Sequence, residues 1–140
     1  LKIKKKIYIA TSKLKSDNRI ISISKKNKVY FYRGSLKNVA SRFKQIILRN
    51  KKADYFLRIS ADSPLIDKSL IYKNLKFRYK KYDIISNVVR RTFPKGQSFE
   101  IIRNSFFLKN YDKILSKSHK EHVTKKLYKI KCFWNGWDVR

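Results

Sequence analysis

Short apolar runs rich in β-forming residues alternate with helical patterns along this chain, and that alternation limits the folds open to it. Between the second and third runs, apolar residues recur at helical spacing from 36 to 47, with polar residues on the other face. A second helical pattern spans about 68–79, after the helix-capping residue Asp67, and a weaker one spans 104–115. The strand candidates are residues 6–10, 29–32, 55–59 and 82–89.

Strands that alternate with helices are typical of a layered α/β fold. The pattern therefore predicts a mostly parallel sheet with helices on both faces. With only 3 Gly and 2 Pro, the sequence shows no linker, and a hydrophobic content of 42% suffices for a packed core. We expect one domain over residues 1–140.

The chain is strongly basic, with 37 Lys and Arg against 9 Asp and Glu and a formal net charge of +28. The positive electrostatic field of so basic a chain attracts polyanions. Apart from Lys4-Lys5-Lys6, however, the basic residues interrupt every segment in ones and twos, as codon bias in an A/T-rich genome predicts. No RNP pattern, zinc-finger spacing or helix-turn-helix accompanies them. Charge alone does not identify a partner.

Several features bear on location and processing. No apolar run approaches the roughly 20 residues of a membrane span, and the basic start does not read as a secretory signal. The single Cys132 excludes an internal disulfide and is typical of a small buried hydrophobe. We expect a cytoplasmic protein. Because the chain begins at Leu1 and contains no Met, we also expect a piece of a longer protein, truncated at both ends.

Residues that follow the strand candidates are the first places to look for a site, because ligands of open α/β sheets bind beyond the carboxyl ends of strands. Asp62 lies in such a segment and can act as a hard oxygen ligand for Mg²⁺. It can equally satisfy turn amides ahead of Pro64, which is what the pattern alone favours. The four segments are 10–12, 33–35, 60–64 and 87–96.

Two other motifs could contribute to a site. His119 and His122 flank Glu121 at a spacing that does not place both imidazoles on one helix face, so a zinc site is not indicated. Glu121 and His122 belong either to a substrate pocket or to a polar helix start. The 3 Gly residues do not form a Gly-rich phosphate loop.

Taken in order, several motifs resemble those of the acylneuraminate and ketodeoxyoctonate cytidylyltransferase family. The likeness is closest to its branch from spore coat polysaccharide biosynthesis, and it covers nearly the whole chain. The motifs that carry it are Ile7-Tyr8-Ile9-Ala10-Thr11-Ser12, residues 34–43 and 58–67, Ser86-Asn87, residues 91–100 and Glu121-His122-Val123-Thr124.

The resemblance implies a Rossmann-like nucleotide-diphospho-sugar transferase fold. It also implies a reaction in which a sugar hydroxyl attacks the α-phosphorus of CTP, and pyrophosphate leaves with Mg²⁺ bound. The product would be an acidic or related sugar activated with CMP for surface polysaccharide. Such transfer depends on positioning and charge neutralisation.

The resemblance also assigns roles to residues. Asp62 would be a catalytic Mg²⁺ ligand. Ala61 stands where many members carry Gly, which affects how closely the backbone can approach the base. Nucleotide-binding residues would be Thr11, Ser12, Arg42, Ser60 and Ala61, and sugar-binding residues would be Gly96, Gln97, Glu100, Glu121 and His122.

Two parts of the family pattern are expected outside residues 1–140. The phosphate-gripping loop would precede Leu1, and a second metal-binding aspartate would follow Arg140. We therefore expect this chain alone to bind CTP poorly and to turn over little. A homodimer contact is possible around Phe133, Trp134 and Trp137. The alternatives are a basic module for nucleic acid or anionic glycan, and a non-catalytic homologue.

Overall fold

The computed structural model describes residues 6–63, 65–76, 82–88, 93–94, 96–114 and 123–130. Its strands are β1 (Tyr8–Ser12), β2 (Tyr30–Gly34), β3 (Tyr55–Ile59), β4 (Ile84–Ser86) and β5 (Phe99–Arg103). Its α-helices are α1 (Asn18–Lys26), α2 (Val39–Arg49), α3 (Lys68–Leu75), α4 (Asn104–Lys109) and α5 (Lys125–Ile130). Short 3-10 helices lie at Lys15–Asp17 and Tyr111–Ile114.

The described strands form two sheets. In the first, β1 and β2 pair in parallel from Tyr8 opposite Tyr30 to Ser12 opposite Gly34. In the second, β5 lies between β3 and β4 and is antiparallel to both. Strands β3 and β4 therefore run in the same direction. The predicted mostly parallel sheet is not confirmed, because the unpredicted β5 runs against its two neighbours.

The predicted strands at β1 to β4 and the helix at α2 are confirmed; β3 has its predicted bounds, and the others have shifted or shortened ends. Helix α3 confirms the start of the 68–79 pattern, whose end falls outside the described residues. The weak 104–115 pattern appears as α4 followed by a 3-10 helix. Helices α1 and α5 were not predicted. Ser24 is the one buried residue of α1, and the apolar Ile20 and Ile23 of this helix stay exposed.

Strand β5 is buried on both of its faces. Ile102 packs with Ile84 into a cluster that includes Phe107 of α4 and Leu127 of α5. Ile101 has the opposite orientation, because side chains alternate along a strand. It packs in a second cluster with Ile85, Phe99 and Leu70, a residue of α3. The second sheet therefore has helices on both faces, as the pattern predicted.

Helix α2 connects the two sheets. Its N-cap residue Asn38 accepts a hydrogen bond from the Ser41 amide at 3.0 Å, which satisfies one of the free donors of the first turn. The helix contacts β1, β2 and α4, and its Ala40 and Ile47 belong to the cluster on the second sheet. None of the helices within the described ranges is long and apolar enough to cross a bilayer.

A glycine at the end of β2 allows α2 to approach closely. A Cβ at Gly34 would lie 2.8 Å from Cγ of Arg42 and 2.9 Å from Cε1 of Tyr32. The Arg42 side chain has little freedom to move away, because its guanidinium donates to three backbone carbonyls. Only a residue without a side chain fits here.

Replacing Gly34 with Ala should therefore destabilise the protein by about 1–3 kcal/mol, the usual range for an overpacked site. Urea unfolding of the Gly34→Ala variant measures this. The exposed Lys37→Ala substitution in the same loop is the control and should change stability by less than about 0.5 kcal/mol. Equal stability of the two variants would show that α2 can shift at no cost.

Candidate functional site

The side chain of one aspartate, Asp17, binds the residues at the carboxyl end of β1. The Asp17 carboxylate accepts hydrogen bonds from Thr11 Oγ1 at 2.5 Å, from the Ser12 amide at 2.9 Å and from Ser12 Oγ at 2.6 Å. These bonds lower the pKa of Asp17 to about 2, the Ser12 hydroxyl having the largest effect. Thr11 and Ser12 are both buried. The ends of β1 and of the following loop are thus held together.

Arg33 of β2 holds the same loop from the other side. Its Nε donates to the Ser12 carbonyl at 3.1 Å, and its Nη2 donates to the Leu14 carbonyl at 2.9 Å. Because Arg33 also pairs with Thr11 in the parallel register, it ties the two strand ends to the segment that leads into α1. The loop after β1 therefore has a defined shape.

Arg42 lies buried on α2 beside both strand ends. Nε donates to the Ser35 carbonyl at 2.8 Å, while the terminal nitrogens donate to the carbonyls of Ala10 and Leu36 at 3.3 Å each. Burial lowers the pKa of Arg42, and the charge of Asp17 opposes that effect. The guanidinium thus holds two loops, and its predicted contact with a nucleotide stays a prediction.

The segment after β3 is a tight turn. The Ser63 amide donates to the Ser60 carbonyl at 3.1 Å, which places Ala61 and Asp62 at the tip, both exposed to solvent. Ser63 is buried and Ser60 half-buried. The structure confirms the turn that the sequence predicted and leaves the Asp62 side chain at the surface.

Gly96 and Gln97 lie at the same edge of the second sheet, because Ile59 at the end of β3 pairs with Phe99 at the start of β5. Gly96 has a φ of 91°, a left-handed conformation that favours glycine. The side chain of Asn87 bridges this edge by donating to the Gln97 carbonyl at 2.8 Å and accepting from the Phe99 amide at 3.0 Å.

Glu100 has a different environment from its predicted neighbours in the site. It is 3% exposed, and its Oε2 accepts from Arg58 Nη1 at 2.5 Å. Its Oε1 accepts a short hydrogen bond from the Tyr128 hydroxyl, which also contacts Ser86 Oγ at 3.2 Å. Burial and the Glu100 charge raise the pKa of Tyr128 above its usual range. The Glu100 carboxylate is thus fully engaged inside the protein.

The predicted site residues fall into two groups. Thr11, Ser12 and Arg42 meet at the ends of β1 and β2. The strand register brings the second group to one edge of the second sheet: Ser60, Ala61, Asp62, Gly96, Gln97 and Glu100. Glu121, His122 and the aromatic segment at 133–137 lie outside the described residues. No cluster of three or more His, Cys, Asp or Glu side chains occurs in the part of the chain that the structure describes.

Sequence reasoning overlooked Asp17, Asn87 as a bridge, and Tyr128. For Asp17 a signal existed, since an acid follows Thr11-Ser12 by five residues and directly precedes a helix. Tyr128 carried no such signal, because its role depends on where the short helix α5 docks. Arg58 stood inside a motif but was given no role of its own.

Comparison with known proteins identifies the class. The sequence model of the cytidylyltransferase family matches residues 1–129. An uncharacterized protein of Methanocaldococcus jannaschii is 31% identical over 123 residues, which is 87% of this chain. A solved structure of a cytidylyltransferase from Leptospira borgpetersenii shares the fold with a TM-score of 0.84 and 24% identity over 95% of this chain.

The chain therefore belongs to the cytidylyltransferase family. It spans 49% of the length of the archaeal relative and 58% of the Leptospira chain. The acylneuraminate and ketodeoxyoctonate branch, which the motifs resemble, is a finer assignment than these matches give.

The pKa of Asp17 makes a pH-dependent contribution to stability. Because the native pKa of about 2 lies below the ordinary value of 3.8, the carboxylate stabilises the native state above pH 3.8. That contribution is lost as the pH falls toward 2. Asp17→Asn should therefore be less stable than the wild type at neutral pH, and the difference should shrink between about pH 5 and pH 2.

Urea unfolding of the wild type and Asp17→Asn at a series of pH values measures this difference. A difference that stays constant down to pH 2 would show that Asp17 does not hold the end of β1 as a carboxylate. Constant ionic strength across the series keeps the screening of the surrounding basic residues the same.

Proposed function

We propose that the protein transfers CMP from CTP to a sugar with release of pyrophosphate. Membership of the cytidylyltransferase family over residues 1–129 supports this reaction class. The proposed acceptor is an acidic or related sugar destined for surface polysaccharide, and the proposed location is the cytoplasm. Because the chain spans about half the length of its archaeal relative, the proposal concerns the whole protein.

The main structural support for the proposal is that the Asp62 carboxylate is exposed at the edge of the sheet. It lies at the tip of a turn directly after β3, on the sheet edge that also presents Gly96 and Gln97. A single exposed carboxylate fits Mg²⁺, which typically takes one or two protein carboxylates and fills its other positions with phosphate oxygens and water. When bound, the ion would neutralise phosphate charge. Asp62 is the residue proposed to hold it.

The loops after β1 and β2 are the proposed nucleotide side of the site. Thr11 and Ser12 already bind Asp17, and Arg42 binds backbone carbonyls, so these residues give the loops a fixed shape. Ser60 and Ala61 border the same nucleotide in this proposal. A preformed loop lowers the cost of ordering the site when CTP binds.

In the proposed reaction a sugar hydroxyl attacks the α-phosphorus of CTP. A new oxygen–phosphorus bond forms while the bond from the α-phosphorus to the bridging oxygen breaks, and pyrophosphate leaves with that electron pair. The hydroxyl loses its proton. Transfer of this kind depends on alignment of the reactants and on charge neutralisation, so the contribution of the chain is to hold the reactants in line.

The net charge of +28 suits anionic substrates but exceeds what a single cleft requires. A few cations near the strand ends would serve CTP and an acidic sugar. The other basic residues are scattered along the chain, as composition alone predicts.

Asp62→Ala in the whole protein should abolish pyrophosphate release from CTP in the presence of Mg²⁺, because the proposed metal ligand is lost. We expect a decrease of roughly 100-fold or more, the usual cost of losing a charge-stabilising group. Pyrophosphate release measured with a panel of sugars tests this.

Asp67→Ala is the matched control. Asp67 lies five residues further along, and its carboxylate caps α3 by accepting from the Ser69 amide at 2.7 Å and from Ser69 Oγ at 2.6 Å. Its loss should lower thermal stability and leave turnover close to that of the wild type. Equal turnover by Asp62→Ala and the wild type would contradict the metal role.

Salt-sensitive binding of nucleic acid without pyrophosphate release would overturn the enzyme proposal. If the whole protein released no pyrophosphate with any sugar, and instead bound nucleic acid with an affinity that fell steeply with salt, it would be a basic binding module. Residues 1–140 alone, which we propose to be inactive, do not decide between these outcomes.

A further inference from the structure

A row of polar side chains crosses the second sheet between apolar neighbours. Arg58 of β3 pairs in register with Glu100 of β5, and Glu100 pairs with Ser86 of β4. The neighbouring row on the same face consists of Phe56, Ile102 and Ile84, all of which belong to the apolar core or pack against it. A buried polar row inside such a sheet requires complete hydrogen bonding.

Tyr128 of α5 completes that bonding from above the sheet. Its single proton goes to Glu100 Oε1. In its 3.2 Å contact with the Tyr128 oxygen, Ser86 Oγ is then the donor, and the Phe99 carbonyl at 3.4 Å is a second acceptor for the same proton. Arg58 supplies the donor to the other carboxylate oxygen. Strands β3 and β5 and helix α5 are thereby joined at one carboxylate, and β4 joins them through the Tyr128 hydroxyl.

This row of polar side chains lies next to the segments predicted to bind the metal and the sugar. Arg58 precedes the Asp62 turn by four residues, Ser86 precedes the bridging Asn87 by one, and Glu100 follows Gln97 by three. The row is therefore close to the edge where the predicted metal and sugar segments lie. Tyr128 also follows the Glu121-His122 motif within the same short stretch of chain.

Stability alone does not explain an ion pair between the buried Glu100 and the half-buried Arg58. The cost of removing the charges from water offsets much of their attraction, and apolar replacements of such pairs are often as stable. Unlike an Ile or Phe side chain, the Glu100 carboxylate fixes the orientation of the groups bonded to it, because each of its two oxygens accepts from a specific donor.

We propose that Glu100, Arg58 and Tyr128 are positioning residues that align the segments 60–62 and 96–98 for the transfer reaction. This inference rests on the proposed function for its kinetic part only. Glu100 was predicted from resemblance to bind the sugar. With both oxygens engaged and 3% exposure, it acts instead through the residues that it orients.

A comparable cluster at the other end of the same strands provides a matched control. The Tyr55 hydroxyl donates to the Tyr82 carbonyl at 3.1 Å and accepts from Arg103 Nε and Nη2 at 3.1 and 3.0 Å. Arg103 also pairs with Asp83 at 3.5 Å. Tyr55→Phe and Tyr128→Phe thus each remove one hydroxyl from a cluster that contains an arginine. The Tyr128 cluster lies beside the predicted site, and the Tyr55 cluster lies far from it.

The first arm of the experiment is amide hydrogen exchange on the whole protein, which does not depend on activity. Tyr128→Phe should accelerate exchange at 60–63 and 96–99 by about tenfold or more, because a hydrogen bond to a charged group is lost. Tyr55→Phe should leave those amides at the wild-type rate. Ser86→Ala should accelerate exchange at the same amides by a smaller factor. This variant is used instead of Tyr128→Phe if Tyr128→Phe does not fold.

The second arm is steady-state pyrophosphate release. Tyr128→Phe should lower kcat by roughly 10- to 100-fold with little change in KM for CTP, because alignment is lost while binding is retained. Tyr55→Phe should keep the wild-type kcat. Equal exchange at 60–63 in all variants, or equal kcat in both Tyr variants of an active enzyme, would overturn the positioning role. If the wild type has no activity, the proposed function fails, and the exchange arm alone decides the positioning.

Discussion

Burial of β5 on both faces is the constraint on which the rest of the structure depends. Its Ile101 and Ile102 enter opposite apolar clusters, so α3 must lie on one side of the sheet and α2, α4 and α5 on the other. Because β5 is antiparallel to both neighbours, the carboxyl ends of β3 and β4 meet its amino end. One edge of the sheet thus receives three loops from distant parts of the chain.

Polar side chains then give that edge and the ends of β1 and β2 their shape. Asp17 and Arg42 bind the loops after β1 and β2, and Asn87 bridges the start of β5. Each uses a side chain to bind backbone groups at or beside a strand end. The exposed Asp62 contrasts with these engaged residues, and in the proposed function it is the group left available for a metal-bound triphosphate.

Sequence patterns predicted local elements better than their assembly. The spacing of apolar residues gave β3 within its observed bounds and α2 nearly so, because each buries one side against a neighbour. It missed β5, whose run of Phe99 to Arg103 is broken by Glu100, since only the partners Arg58 and Tyr128 make that charge compatible with burial. Resemblance placed Asp62 and Gln97 at one site, and the register brings them to one edge. It could not distinguish an available carboxylate from an engaged one, since exposure depends on tertiary packing.

In the proposed function, the edge beyond β3 and β5, together with the ends of β1 and β2, holds CTP and a metal ion. A crystal structure of the whole protein with CTP and Mg²⁺ tests it most directly. We expect the ion on the Asp62 carboxylate, with the nucleotide beside Ser60 and Ala61 and the loop at Thr11 and Ser12 unchanged. CTP bound elsewhere, or a metal ion held without Asp62, would contradict the proposed site.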